Sequence, residues 1–195
     1  MKTWLSRAVV AVIAGSSGLA APAAQAATLT LQDARGDVVV QAPDDTRPKP
    51  FGATRVNADL VRATVTHGPG LIRVKLQYVD LRRDDDVRVA GVRIHTSRGT
   101  NYDAMWVAMA DSPRGWHDLS RGRTVDQCRR GVSHEVDYDN NRVTLEVSRA
   151  CLDRPKWVQV KIVGMAVRSS GEAYGDIAGV DGWGPREWSK RIRKG

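Results

Sequence analysis

From Val132 onward, apolar and polar side chains take turns: Val132, His134, Val136 and Tyr138 against Ser133, Glu135 and Asp137. After Asp139-Asn140-Asn141-Arg142 the alternation resumes, with Val143, Leu145 and Val147 on one side and Thr144, Glu146 and Ser148 on the other. Two runs of period two around an Asn-rich turn predict a β-hairpin, because Asn tolerates the positive φ of a tight turn. The pattern also occurs upstream. Val61, Ala63 and Val65 alternate with Arg62, Thr64 and Thr66; after His67-Gly68-Pro69-Gly70, Ile72, Val74, Leu76 and Tyr78 alternate with Arg73, Lys75 and Gln77. An antiparallel sheet reads this way when one face is buried and the other is wet.

Further strands are predicted over 28–31 and 38–40, separated by the turn Asp33-Ala34-Arg35-Gly36-Asp37, and a proline-rich surface loop follows over 43–50. Residues 87–96 and 101–110 form another hairpin. In its first strand the apolar parity changes at Gly91, which predicts a β-bulge there. The second is apolar at nearly every position after Asp103, which predicts a central strand covered on both faces. Residues 111–131 read as irregular, Ser148 as the start of one helical turn, and 157–167 as a long strand. From Ser169 the chain turns rich in Gly, Asp and Trp, and the basic end from about 189 reads as frayed. The result is an all-β chain: an antiparallel, jelly-roll-like β-sandwich of about eight or nine strands.

The N-terminus changes the picture of where this sandwich works. Lys2 and Arg7 precede the apolar run Ala8–Ala14, and Ala24-Gln25-Ala26 is a small-x-small cleavage site. This is the pattern of a secretory signal peptide over 1–26, leaving 27–195 as a single secreted domain. Gly15-Ser16-Ser17-Gly18 and Pro22 break the apolar run well short of the about 20 residues that a membrane span needs. The 195 residues carry a net charge of +8, with arginines scattered rather than bunched. Neither a basic stripe nor a nucleic-acid-binding module stands out, so the charge points to a solvated surface or to an anionic cell-wall polymer. In an exported chain the only two cysteines, Cys128 and Cys151, predict a disulfide clasping the hairpin, worth roughly 3 kcal/mol in the chain-entropy model.

Candidate chemistry is sparse. Asp33 and Asp37, with Asp59 as a third donor, could offer oxygens to calcium; the competing reading is an Asp-led turn bonding its own backbone. Asp84-Asp85-Asp86 and Asp176…Asp181 read as solvated loop carboxylates. Four histidines stand singly, with no zinc-binding spacing, and no nucleophile elbow, P-loop or dinucleotide fingerprint is present. Trp106 and Trp157 read as core. Trp116, Trp183 and Trp188 lie in loop-like sequence among Asp, Arg and Glu, where rings can stack on a sugar's apolar face or cap the ends of the sandwich.

The turn Asp33–Asp37 followed by Asn57-Ala58-Asp59-Leu60-Val61 resembles the opening of exported bacterial sandwiches, and is distantly similar to family-nine-like carbohydrate-binding sandwiches. The run Cys128…Asp137-Tyr138…Cys151-Leu152…Pro155-x-Trp157-Val158 is similar to uncharacterised secreted β-sandwich proteins of high-GC bacteria. The closer resemblance implies export and fold and no known activity, and the distant one implies glycan binding by analogy of fold. The chain reads as a secreted, non-catalytic binding or surface-interaction domain, with a glycan as its candidate ligand. Two other functions stay open: a polysaccharide hydrolase using loop carboxylates, and a structural envelope-associated protein.

Overall fold

Alternation makes the strands, and the faces it creates decide how they stack. The computed structural model describes residues 26–44, 47, 49–50, 57–84, 86–122, 124–125, 128–179 and 187–195. The leader expected over 1–26 lies almost wholly outside these, as does Trp183. The described strands are β1 (Ala27–Gln32), β2 (Val39–Gln41), β3 (Lys49–Pro50), β4 (Leu60–His67), β5 (Leu71–Tyr78), β6 (Val87–Thr96) and β7 (Asn101–Ala108). Then follow β8 (Trp116–Arg121), β9 (Thr124–Val125), β10 (Val132–Asp137), β11 (Arg142–Ser148), β12 (Trp157–Val167), β13 (Ala173–Ile177) and β14 (Ile192–Arg193).

They form an antiparallel β-sandwich. The smaller sheet runs β1-β4-β5-β11-β10 and the larger β3-β2-β13-β12-β6-β7-β8-β9, with β14 pairing on the start of β12. Between them lies a core that includes Leu60, Val65, Ile72, Leu76, Ile94, Trp106, Leu145, Val160 and Ile162. The expected hairpin is β10–β11, closed by a turn in which Asn141 takes φ 52°. The Cys128–Cys151 disulfide is formed, with Cα atoms 5.7 Å apart, and joins its two ends. The helical turn at Ser148 is a 3-10 turn over Arg149–Leu152, with the Ser148 side chain accepting from the Ala150 N–H.

Several expectations need correction. β6 keeps unbroken register through Gly91 with both β7 and β12, and the irregularity falls instead at Leu60/Arg62. The parity change has another cause: Val87 and Val89 face outward, while Arg88 points inward and is only 1% exposed. Its guanidinium donates to the Arg82 carbonyl and sits 5.7 Å from the Tyr138 ring. β7 is central in its sheet but is not covered on its outer face, where Met105 is exposed. Residues 111–131 contain β8 and β9, and β13 arises from the Gly- and Asp-rich stretch. The end of the chain is docked: Ile192 pairs with Val158 and is buried. Asp84 and Asp86 are not simply solvated, since Asp84 accepts from Asn57 and Asp86 is buried.

Candidate functional site

Two places bring chemistry together, one on the outer face of the large sheet and one between the sheets. On the outer face, register sets side chains in rows across the strands. Met165, Val89, Val107 and Trp116 form one row, and Val163, Gly91, Met105 and Asp118 the next. Lys161, Arg93, Asp103 and Ser120 form a third, and His95 and Asn101 lie beyond it. Gly91 leaves a gap in the second row, and a Cβ there would come within 2.9 Å of Val163. The gap is the floor of an open groove of about 360 Å³. Its apolar base is Gly91, Met105 and Val163, and its polar bank is Arg93, Asp103, Ser120 and Lys161. Arg93 holds Asp103 through two hydrogen bonds, 2.7 and 3.1 Å, so the bank has fixed donors and acceptors.

Aromatic rings stand at both ends of this groove. Trp116 is 45% exposed. At the other end Trp157, expected in the core, is only half-buried because it faces outward on β12. Its ring lies 5.8 Å from His95, and Trp188 lies 5.3 Å from His95 on the other side. The ammonium of Lys161 sits 4.7 Å from the Trp188 ring and Arg191 lies 4.3 Å from that of Trp157, both within cation–π range. Trp188 is held there by its neighbour: Ser189 donates its N–H to the Val160 carbonyl and accepts the Val160 N–H on its hydroxyl, completing the edge of β12. A second depression of about 310 Å³ runs beneath Trp188 and meets the first at Lys161. At about 3.4 Å per residue and about 4.8 Å per strand, Trp116 and His95 lie roughly 20 Å apart. Trp116 and Trp188 therefore share one face without forming one cluster.

Between the sheets the structure gathers carboxylates. Asp33 follows β1 and Asp37 precedes β2, so the turn between them carries the chain from the small sheet to the large one. Asp176, read from sequence as a solvated loop residue, is on β13, points inward and is fully buried. One oxygen from each of Asp33, Asp37 and Asp176 lies within 4.8 Å of the others. Asp59, entering β4, accepts the Gly36 N–H at 2.9 Å and so lies against the same turn. Backbone donors anchor the group. Gly179 N–H reaches Asp33, Ile177 N–H reaches Asp176, and Leu60 N–H crosses from the small sheet to Asp176 at 2.8 Å. Burial pushes the Asp33 carboxyl up to about 7 and Asp176 up to about 8, with the neighbouring carboxylates adding to both. Burial and the charge of Asp37 also raise Asp59.

Sequence spacing did not reveal a third contact. His117 on β8 and His134 on β10 meet across the open side of the sandwich, Nδ1 to Nδ1, at 2.7 Å. No protein-family model matches the chain, and no curated protein is detectably similar to it. The chain is marked by one disulfide and two antiparallel sheets, and among the described residues no helix is long and apolar enough to cross a membrane.

Proposed function

We propose that this protein is an exported, non-catalytic binding domain that takes a glycan chain along the outer face of its large sheet. The groove over Gly91 carries this reading. An apolar floor beside a bank of fixed donors and acceptors suits a sugar, which has an apolar ring face and a rim of hydroxyls. Trp116 at one end and the Trp188–His95–Trp157 ledge at the other offer flat rings for stacking. The polar bank holds one carboxylate, Asp103, which Arg93 engages, while Asp118 at the end of the floor row accepts the Leu119 N–H. That favours holding a ligand over cleaving it, since glycoside hydrolysis uses a pair of carboxylates across the scissile bond. The leader-like N-terminus and the disulfide support work outside the cytoplasm, and the resemblance to carbohydrate-binding sandwiches points the same way.

The test is retention on insoluble polysaccharides and cell-wall fractions, followed by titration with the best soluble oligosaccharide. Trp116→Ala and Trp188→Ala are each expected to weaken binding about tenfold, with an unchanged melting temperature for Trp116→Ala. A protein that binds no glycan, or binds equally well after both changes, would refute the proposal.

A further inference from the structure

We propose that Asp33, Asp37, Asp59 and Asp176 form a calcium site that staples the two sheets together. Acidic residues gather on many surfaces without a metal, and what sets this group apart is the state of Asp59. Its side chain is 99% enclosed (1% exposed), with Oδ2 bonded to the Gly36 N–H at the centre of the Asp33–Asp37 turn. Among the described residues the other oxygen, Oδ1, is buried with no hydrogen-bond donor, and so is Oδ2 of Asp33. Each of these two carboxylates is thus anchored through one oxygen and presents a second, buried one. An acceptor buried without a partner costs about 1–3 kcal/mol, and more when charged. The charges of Asp37 and Asp59 bear on Asp33, and that of Asp37 bears on Asp59, where Arg35 opposes it. A divalent cation would satisfy the orphaned oxygens and the mutual repulsion together.

The dimensions admit calcium. Oxygens that share one ion cannot be farther apart than twice the ion–oxygen distance. That limit is about 4.6–5.2 Å for calcium and about 4.0–4.2 Å for magnesium. An oxygen from each of Asp33, Asp37 and Asp176 lies within 4.8 Å of the others, inside the reach of calcium. Asp33, Asp37 and Asp176 supply three of the six to eight oxygens that calcium takes, Asp59 stands against the same turn as a further donor, and water can supply the rest. The ligands come from the β1–β2 crossing, the entry to β4 and the middle of β13. Bound calcium would therefore fix the place where the chain passes from one sheet to the other. This inference is independent of glycan binding, since the groove lies on the opposite side of the large sheet.

The experiment is calorimetric titration of the EDTA-stripped full chain with calcium chloride, alongside its melting temperature. We expect one calcium per chain with a dissociation constant of about 0.1–1 mM, and a melting temperature about 5 °C higher in 10 mM calcium than in EDTA. Asp33→Asn and Asp59→Asn are each expected to lower the affinity at least tenfold, while Asp111→Asn, on an exposed loop, leaves it unchanged. No binding heat and no thermal shift in the unmodified chain would overturn the proposal, whether or not the variants fold. So would an equal shift with magnesium, which would indicate screening rather than a site, or wild-type affinity in a folded Asp33→Asn protein.

Discussion

Arg149 donates its Nε–H to Nε2 of His67 at 3.1 Å, and both side chains are buried. The other imidazole nitrogen, Nδ1, lies 3.0 Å from the Ile192 carbonyl, so His67 is neutral and carries its proton on Nδ1. The guanidinium also reaches the carbonyls of Pro69 and Pro155, at 2.7 and 2.6 Å. One arginine thereby joins the β4–β5 turn, the helical turn after β11 and, through His67, the strand that ends the chain.

This arrangement makes stability depend on pH. Burial holds His67 below the usual histidine range, and the nearby charges of Arg149 and Lys194 add to the effect. A histidine depressed in the folded state contributes stability that is present above its unfolded value of about 6.5 and is lost as pH falls through the folded one. The urea midpoint is expected to drop between pH 7.5 and pH 5, and to drop less in His67→Gln. Equal slopes in the two proteins would show that another group governs the effect. Arg149→Met should cost roughly 2–4 kcal/mol at pH 7.5, by leaving the buried acceptors on His67 and Pro155, and the part-buried one on Pro69, without their donor.

Gly91 is the position to alter when separating binding from folding. A leucine there would fill the groove, and its Cβ would meet only the Val163 side chain, at 2.9 Å. Gly91→Leu is expected to reduce glycan retention at least tenfold while shifting the melting temperature by only a few degrees. Binding at wild-type strength by a folded Gly91→Leu protein would move the site elsewhere.

At Gly131 the opposite holds. A Cβ would come 2.0 Å from Sγ of Cys151 and 3.1 Å from Sγ of Cys128, so no side chain fits beside the bonded sulfurs. Gly131→Ala is expected to yield protein with free thiols detectable by a thiol reagent. It should be destabilised by about 3 kcal/mol, close to the cost of removing both cysteines. Full oxidation with normal stability would contradict this.

The two imidazoles at 2.7 Å fix each other's tautomers. His134 Nε2 lies 2.8 Å from the Arg114 carbonyl, an acceptor, so that nitrogen carries a proton. In the neutral ring Nδ1 of His134 must then accept, and Nδ1 of His117 must donate. Nitrogen-15 spectra at pH 8 are expected to show His117 as the Nδ1–H form and His134 as the Nε2–H form. The same tautomer on both rings would break the proposed contact.

How much could be read in advance follows from which faces are apolar. β5 was legible because Ile72, Val74, Leu76 and Tyr78 are all buried while Arg73 and Lys75 are exposed. β6 misled because its outer face is apolar too: Val89 sits between Met165 and Val107, and the inward position beside it is taken by Arg88. β13 was hidden because its inward residues are Tyr174 and Asp176, and a buried carboxylate looks like a loop residue until its partners are known. Those partners include Leu60, 116 positions away in the chain. Asp33, Asp37 and Asp59 were visible as candidate donors because a short turn brings two of them close. The meeting of His117 with His134 depended on the stacking of two sheets, which local spacing does not encode.

The clasp at the ends of β10–β11 has a consequence for the life of the molecule under reducing conditions. β10 is the last strand of the small sheet, and β11 is all that covers the flank of β5. Were the hairpin to swing away once its sulfurs parted, β5 would present a bare row of amides and carbonyls that an identical hairpin from a second molecule could occupy. By tying β10 to β11 at their open end, the bond between Cys128 and Cys151 would make such an exchange harder as well as adding stability.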